Sequence, residues 1–333
     1  MYLDFYNLKR EPFSLSPDPR FLFLAPSHKE ALAYLKYGLI QQKGFVVIIG
    51  EVGTGKTTLI YSLLAQMPKE IVTAFISNPT LTRDEFFSLL AQKYKLGDIK
   101  DKADFLVKFS GFLEDSLKKK RGVVLIIDEA HRLDPGILEE IRLLSNLETP
   151  NAKLINIILT GQPEFSQILN NPTFRALKQR VTLKYILRPL SPEETAAYIQ
   201  LRLAKAGAKD VGLFTQEAME AVFNYSNGIP RVINLLCDHA LLTGFVKELK
   251  VIDDKIIKEC AKELECDRAA GETSKEVLST GSRGVSSVIT KLTFVLLICL
   301  AVGGLFFLSS YFVNYKSLLE KMMELLRTGN IYG

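Results

Sequence analysis

The chain has 333 residues, 24% charged and 47% hydrophobic, with a net charge of +5 at neutral pH. So mild a basic excess gives nucleic-acid binding no support on charge alone. The four cysteines, Cys237, Cys260, Cys266 and Cys299, form no CxxC pair, which argues against a zinc site or disulfide scaffold and fits a reducing compartment.

The N-terminus, MYLDFYNLKREPF, carries charge from residue 4 and has no apolar run of signal-peptide type. Residues 1–27 read as an irregular segment, with Pro12, Pro17, Pro19 and Pro26 among aromatics. Residues 28–40 predict a helix with Leu32, Leu35 and Leu39 on one face. Short apolar runs of buried-strand type follow at 45–50, 71–76, 122–128, 154–160 and 181–187. Helices lie between them. One starts at the capping box Thr82-x-x-Glu85, and another follows Asp134-Pro135 with Ile137, Ile141 and Leu144 in phase. This alternation over 28–190 predicts an α/β fold, a parallel sheet with helices on both faces.

After residue 190 the strand pattern stops. Ser191-Pro192-Glu193-Glu194 is a helix start, and further helices over 215–225, 230–244 and 252–264 make 191–265 an all-helical subdomain. Residues 266–290 are small and polar, as in a flexible linker. Residues 291–313 contain LTFVLLICLAVGGLFFLSSYFV, which carries no charge. As a helix it reaches about 33 Å, enough for a single C-terminal transmembrane helix. Basic residues flank it on both sides, so charge does not set its orientation. The tail, 314–333, holds the amphipathic stretch SLLEKMMELL and is expected to lie on the far membrane surface.

Two motifs carry chemistry. Gly50-Glu51-Val52-Gly53-Thr54-Gly55-Lys56-Thr57, followed by Thr58, fits G-x-x-x-x-G-K-[ST] between a predicted strand and a predicted helix. Its glycines let backbone N–H groups turn toward phosphates, Lys56 is placed to reach the β- and γ-phosphates, and the Thr57 hydroxyl to bind Mg²⁺. ATP and Mg²⁺ are therefore the expected ligands. The run VVLIIDEAH (123–131) ends in paired carboxylates. Asp128 is expected to hold Mg²⁺ through water, and Glu129 to orient or deprotonate the attacking water. The letters DEAH also head a helicase class, but a second motor domain has no room here.

With FYNLKREPFSLSPDPRFLFL, GEVGTGKTTL, DEAHRL, EEIRLLSNLET, LTGQPEF, QRVTLKYILRPLSPEET and GIPRVINLLCDHALL, over about residues 2–245, the chain resembles AAA+ ATPases of the general secretion pathway protein A type, including pilus-assembly and exosortase-locus relatives. The resemblance implies a P-loop NTPase (AAA+) core with a helical lid. It implies ATP hydrolysis coupled to assembly of an envelope or secretion apparatus, often as a ring. Thr160 or Gln162, after the fourth strand, corresponds to sensor 1. Arg231 stands in the first turn of a helix opened by Pro230, where the dipole disfavours a cation and an anionic partner is needed; the resemblance makes it sensor 2. Arg180, with Arg175 as rival, is placed to be an arginine finger. His28 and Glu30 are expected near the adenine. His131 and His239 fit no metal-ligand spacing and read either as structural or as supports for the residues of the site.

The expected partners are further copies of the chain in a ring-like oligomer, envelope or secretion-system membrane proteins, and the lipid bilayer, with no nucleic acid. The expected location is the bacterial inner membrane, single-pass, with the ATPase domain in the cytoplasm. Residues 314–333 are too few for the peptidoglycan-binding domain of some relatives, so wall binding by this chain is not expected. The alternative is a DNA-linked ATPase like the transposition helpers, against which the apolar span argues.

Overall fold

The computed structural model describes residues 1–16, 18–150, 152–209 and 212–264. The predicted linker, span and tail lie outside these residues. Among the described residues no helix is long and apolar enough to cross a membrane.

Five parallel strands make the central sheet: β1 (Phe45–Ile49), β2 (Ile71–Ile76), β3 (Gly122–Ile127), β6 (Asn156–Gly161) and β7 (Val181–Ile186), in the order β2-β3-β6-β1-β7. Between β3 and β6, the two-residue strands β4 (Glu148–Thr149) and β5 (Ala152–Lys153) form a small antiparallel ribbon. All five residues of β1 are buried, as expected of a central strand covered on both sides. Its side chains alternate between two cores. Phe45, Val47 and Ile49 face a core built with α4 (Arg83–Tyr94), α5 (Lys102–Lys118), α6 (Pro135–Leu144), α7 (Pro163–Asn170) and α8 (Arg175–Arg180). Val46 and Ile48 face a smaller core with α2 (Pro26–Ile40) and α3 (Lys56–Ala65).

The predicted helix starts hold at atomic detail. Thr82 and Glu85 bond reciprocally as a capping box, as do Ser191 and Glu194, and Asp134 caps α6 ahead of Pro135. Helix α2 begins at Pro26, two residues earlier than its apolar periodicity indicates, because proline at N1 is already set to helical φ. Helix α5, capped by Asp101, carries Phe105 and Phe109 into a run of aromatic contacts with Phe87 and Tyr94.

After β7 the chain is helical: α9 (Pro192–Ala206), α10 (Gln216–Ser226), α11 (Pro230–Val246) and a last helix over 254–264. The segment before α2 holds the one-turn α1 (Tyr2–Phe5) and a 3₁₀ turn (Pro19–Phe21). It is strapped to these late helices. Tyr2 Oη donates to Asp238 at 2.7 Å, Lys9 N–H to the Ala206 carbonyl at 2.8 Å, and Phe13 packs edge-on against Phe214.

Candidate active site

The site forms at the C-terminal edge of the sheet, where β1, β3 and β6 end. Gly50 N–H donates to the Gly161 carbonyl at 3.1 Å, tying the start of the phosphate loop to the end of β6. Gly53 and Gly55 have φ of +83° and +98°, a conformation that L side chains rarely adopt. A Cβ on Gly53 would stand 2.6 Å from Arg231 Cβ, so the helical subdomain approaches the loop more closely than a side chain there allows.

Lys56 opens α3 and is only 4% exposed. Its ammonium donates to the carbonyls of Gly50 at 2.7 Å and Glu51 at 3.0 Å. Burial pushes its pKa below that of an ordinary lysine, and the carboxylates of Glu129, Asp128 and Glu51 oppose the shift. A desolvated cation at a helix start, beneath a loop of backbone amides, suits an anionic ligand.

Asp128, 2% exposed, is bracketed by donors. Thr57 Oγ1 donates to its Oδ2 at 2.5 Å; Thr160 Oγ1 and the Glu129 N–H, the latter at 2.9 Å, donate to its Oδ1. Thr57 and Asp128 therefore bring two hard oxygen ligands together beside the phosphate loop. Mg²⁺ takes such a pair and fills its other positions with phosphate oxygens and water, so the residues present fit the ion.

Glu129 has a left-handed backbone (φ 53°). Gln162 Nε2 donates to its Oε2 at 2.9 Å, and His131 Nε2 lies 3.4 Å from the same oxygen. The structure thus separates the two sensor 1 candidates: Thr160 bonds to the Asp128 carboxylate and Gln162 to that of Glu129.

A cavity of about 270 Å³ runs from the phosphate loop to the helical subdomain, with Lys56, Glu129, His28, Arg202, Arg231 and Asn234 in its wall. Arg231 stands in the first turn of α11, its N–H 3.3 Å from the Gly53 carbonyl. His28, 5% exposed, has Nε2 2.9 Å from the Thr54 carbonyl, which places the proton on Nε2 and leaves the buried Nδ1 without a partner among the described residues. Burial lowers its pKa. Glu30, expected beside it, instead accepts from Tyr185 Oη at 2.8 Å. Arg180 ends α8 just ahead of Val181, which pairs with Phe45 at the N-terminal edge of the sheet, opposite the phosphate loop. Arg175 opens the same helix. Neither arginine is in the cavity wall.

Sequence reasoning missed Arg202. It lies on the buried face of α9 with Tyr198, Ile199, Leu203 and Ala206, and an arginine in that phase was the available signal. Its Nε donates to the Pro12 carbonyl at 2.5 Å, Nη2 to the Ser14 carbonyl at 3.3 Å, and Nη1 to Tyr198 Oη at 2.6 Å. Tyr198 in turn donates to Asn234 at 2.9 Å. The guanidinium lies over the rings of Phe21 and Tyr198 and makes no ion pair among the described residues. It therefore fastens the N-terminal segment over the cavity through neutral partners alone.

Residues 39–169 match the AAA domain family. The chain is 44% identical over 250 residues, 74% of its length, to general secretion pathway protein A of Aeromonas hydrophila, and spans 45% of that protein. Among solved structures it is similar to Cdc6 of Pyrobaculum aerophilum, with a TM-score of 0.58 and 18% identity over 74% of this chain and 71% of that one. A Walker-type ATPase of Pyrococcus abyssi gives a TM-score of 0.55 and 16% identity over 79% of both chains. At these identities the two structures speak for the fold alone. The resemblance read from the sequence is borne out: residues 39–169 match the AAA domain family, and three quarters of the chain is similar to a general secretion pathway protein A.

Proposed function

We propose that the chain is a magnesium-dependent ATPase, anchored in the bacterial inner membrane by residues 291–313 with its ATPase part in the cytoplasm. It couples ATP binding and hydrolysis to the assembly or operation of a cell-envelope secretion, pilus or exopolysaccharide system. The observation that carries the enzymatic reading is the convergence of Lys56, Thr57, Asp128 and Glu129 at one sheet edge beside a cavity. The envelope reading rests on the 44% identity to general secretion pathway protein A and on the apolar run in the sequence.

In this reading the loop amides and Lys56 bind the phosphates, and Arg231 reaches them from the helical side. Thr57 and Asp128 would hold Mg²⁺, which when bound neutralises phosphate charge. Thr160 keeps Asp128 in place. Glu129 takes a proton from water as the water oxygen bonds to the γ-phosphorus and the bond to ADP breaks. Arg180, far from its own cavity, is assigned to the site of a neighbouring copy in a ring-like assembly, with Arg175 as the rival.

Glu129→Gln tests the enzymatic core. Turnover is expected to fall by about 10²–10⁴-fold while ADP still binds. Wild-type turnover in that variant would sink the assignment. Carbonate extraction of the full-length chain tests the anchor: release from membranes refutes it. Hydrolysis that duplex DNA stimulates and envelope proteins do not would favour the DNA-linked alternative.

A further inference from the structure

We propose that His131 is a positioning residue for the catalytic base. Together with Gln162 it holds one carboxylate oxygen of Glu129 and leaves the other to take the proton of the attacking water. This rests on the reading of Glu129 as the base.

Two hydrogen bonds and one close approach define the arrangement. His131 Nδ1 lies 3.4 Å from the backbone nitrogen of Gln162, which can only donate. Nδ1 is therefore the acceptor, and Nε2 carries a proton. That Nε2–H lies 3.4 Å from Glu129 Oε2, the oxygen that also accepts from Gln162 Nε2 at 2.9 Å. The ring thus stands between the backbone at the end of β6 and the Glu129 carboxylate. Oε1 of Glu129 receives no hydrogen bond among the described residues, and Glu129 is part of the cavity wall.

Two local features show that ordinary structural needs were set aside here. Gln162 occupies the N-cap of α7, a position that favours Ser, Thr, Asp or Asn, yet its side chain makes no cap bond and is committed to Glu129. Glu129 itself adopts a positive φ, which is uncommon for a residue with a Cβ, with its N–H fixed on Asp128. Backbone and carboxylate are each pinned, and this restricts a side chain that otherwise has several rotatable bonds. His131 is within a single turn, Ala130–Arg132, directly after the glutamate, so its reach back to Oε2 is short. Of the two sequence readings of His131, structural or supporting the site residues, the contact to Glu129 favours the second.

The test uses the full-length chain with ATP and Mg²⁺. His131→Phe keeps a ring of similar size and removes both nitrogens. It is expected to lower kcat about tenfold or more. KM and ADP affinity should stay within about twofold, the signature of an effect on the transition state. His131→Gln, which returns an N–H donor, should recover part of the loss. In a Glu129→Gln background, His131→Phe should have no further effect, because the two act as a unit. Wild-type kcat in His131→Phe beside an inactive Glu129→Gln overturns the positioning role and leaves the base intact. An equal loss in the Phe and Gln variants, or a loss of ADP affinity in place of kcat, overturns it too. Wild-type turnover in Glu129→Gln strikes the base assignment itself.

Discussion

The sheet edge and the helical side enclose the same cavity by different means. At the sheet edge the two carboxylates have specific side-chain partners: Asp128 has the Thr57 and Thr160 hydroxyls, and Glu129 has Gln162 and His131. On the helical side the buried cation Arg202 is satisfied by two carbonyls, a phenol and two aromatic faces. The first arrangement places the carboxylates and their Thr160 and Gln162 partners at the ends of β3 and β6. The second holds a segment, residues 12–23, that crosses from the late helices to α2. In the proposed reading the edge carries the chemistry and the helical side retains the ligand, so variants at the two should fail differently.

The largest expected effect is at the edge. Lys56→Ala should weaken ADP binding by about 100-fold, read by calorimetry, because it removes the one buried ammonium from the phosphate loop. Near-normal affinity would mean that the loop amides alone hold the phosphates.

Next is the seam between the two regions. Gly53→Ala places a methyl against Arg231 on a backbone of φ +83°. It should cost about 1–2 kcal/mol of stability in a denaturant melt and reduce ADP affinity as well. Unchanged melting would show that the contact between loop and α11 is freely adjustable.

Arg202→Met should act on retention only. We expect ADP affinity to drop about tenfold, through lost preorganisation of the N-terminal segment, with kcat at saturating ATP unchanged. Limited proteolysis should find the first 24 residues more readily cut. A fall in kcat with affinity preserved would dissolve the division between the two sides.

The smallest effect is a pH dependence at His28. Burial depresses its pKa below 6.5, so the folded protein holds the ring neutral while the unfolded chain takes up a proton near 6.5. Its contribution to stability is full above 6.5 and is lost as pH falls below that value toward the folded pKa. The melting temperature of the wild type should therefore fall more between about pH 8 and pH 5.5 than that of His28→Gln, which can still donate to the Thr54 carbonyl. Parallel pH profiles would remove His28 as a titrating group.

Much of the sheet edge was legible because its chemistry is local. Gly53, Gly55, Lys56 and Thr57 are consecutive or nearly so, and the paired carboxylates close an apolar strand, so spacing alone assigns them. Thr160 and Gln162 were placed correctly at a strand end, but which carboxylate each serves depends on a register across β3 and β6 that no spacing reveals. The strap of residues 1–24 was read as irregular because its partners, Asp238, Ala206 and Arg202, lie roughly 180 to 240 positions away in sequence.

The amino-acid sequence by itself determined the phosphate loop, the paired acids, the alternation that builds a parallel sheet and the helix starts at Thr82, Asp134 and Ser191. Each depends on neighbours within one element. Tertiary structure alone decided that Gln162 and His131 converge on one oxygen of Glu129. It also decided that Arg202 pins the N-terminal segment over the cavity and that Arg180 lies outside the cavity wall. Those contacts join elements distant in the chain, and their geometry is set by how strands and helices pack.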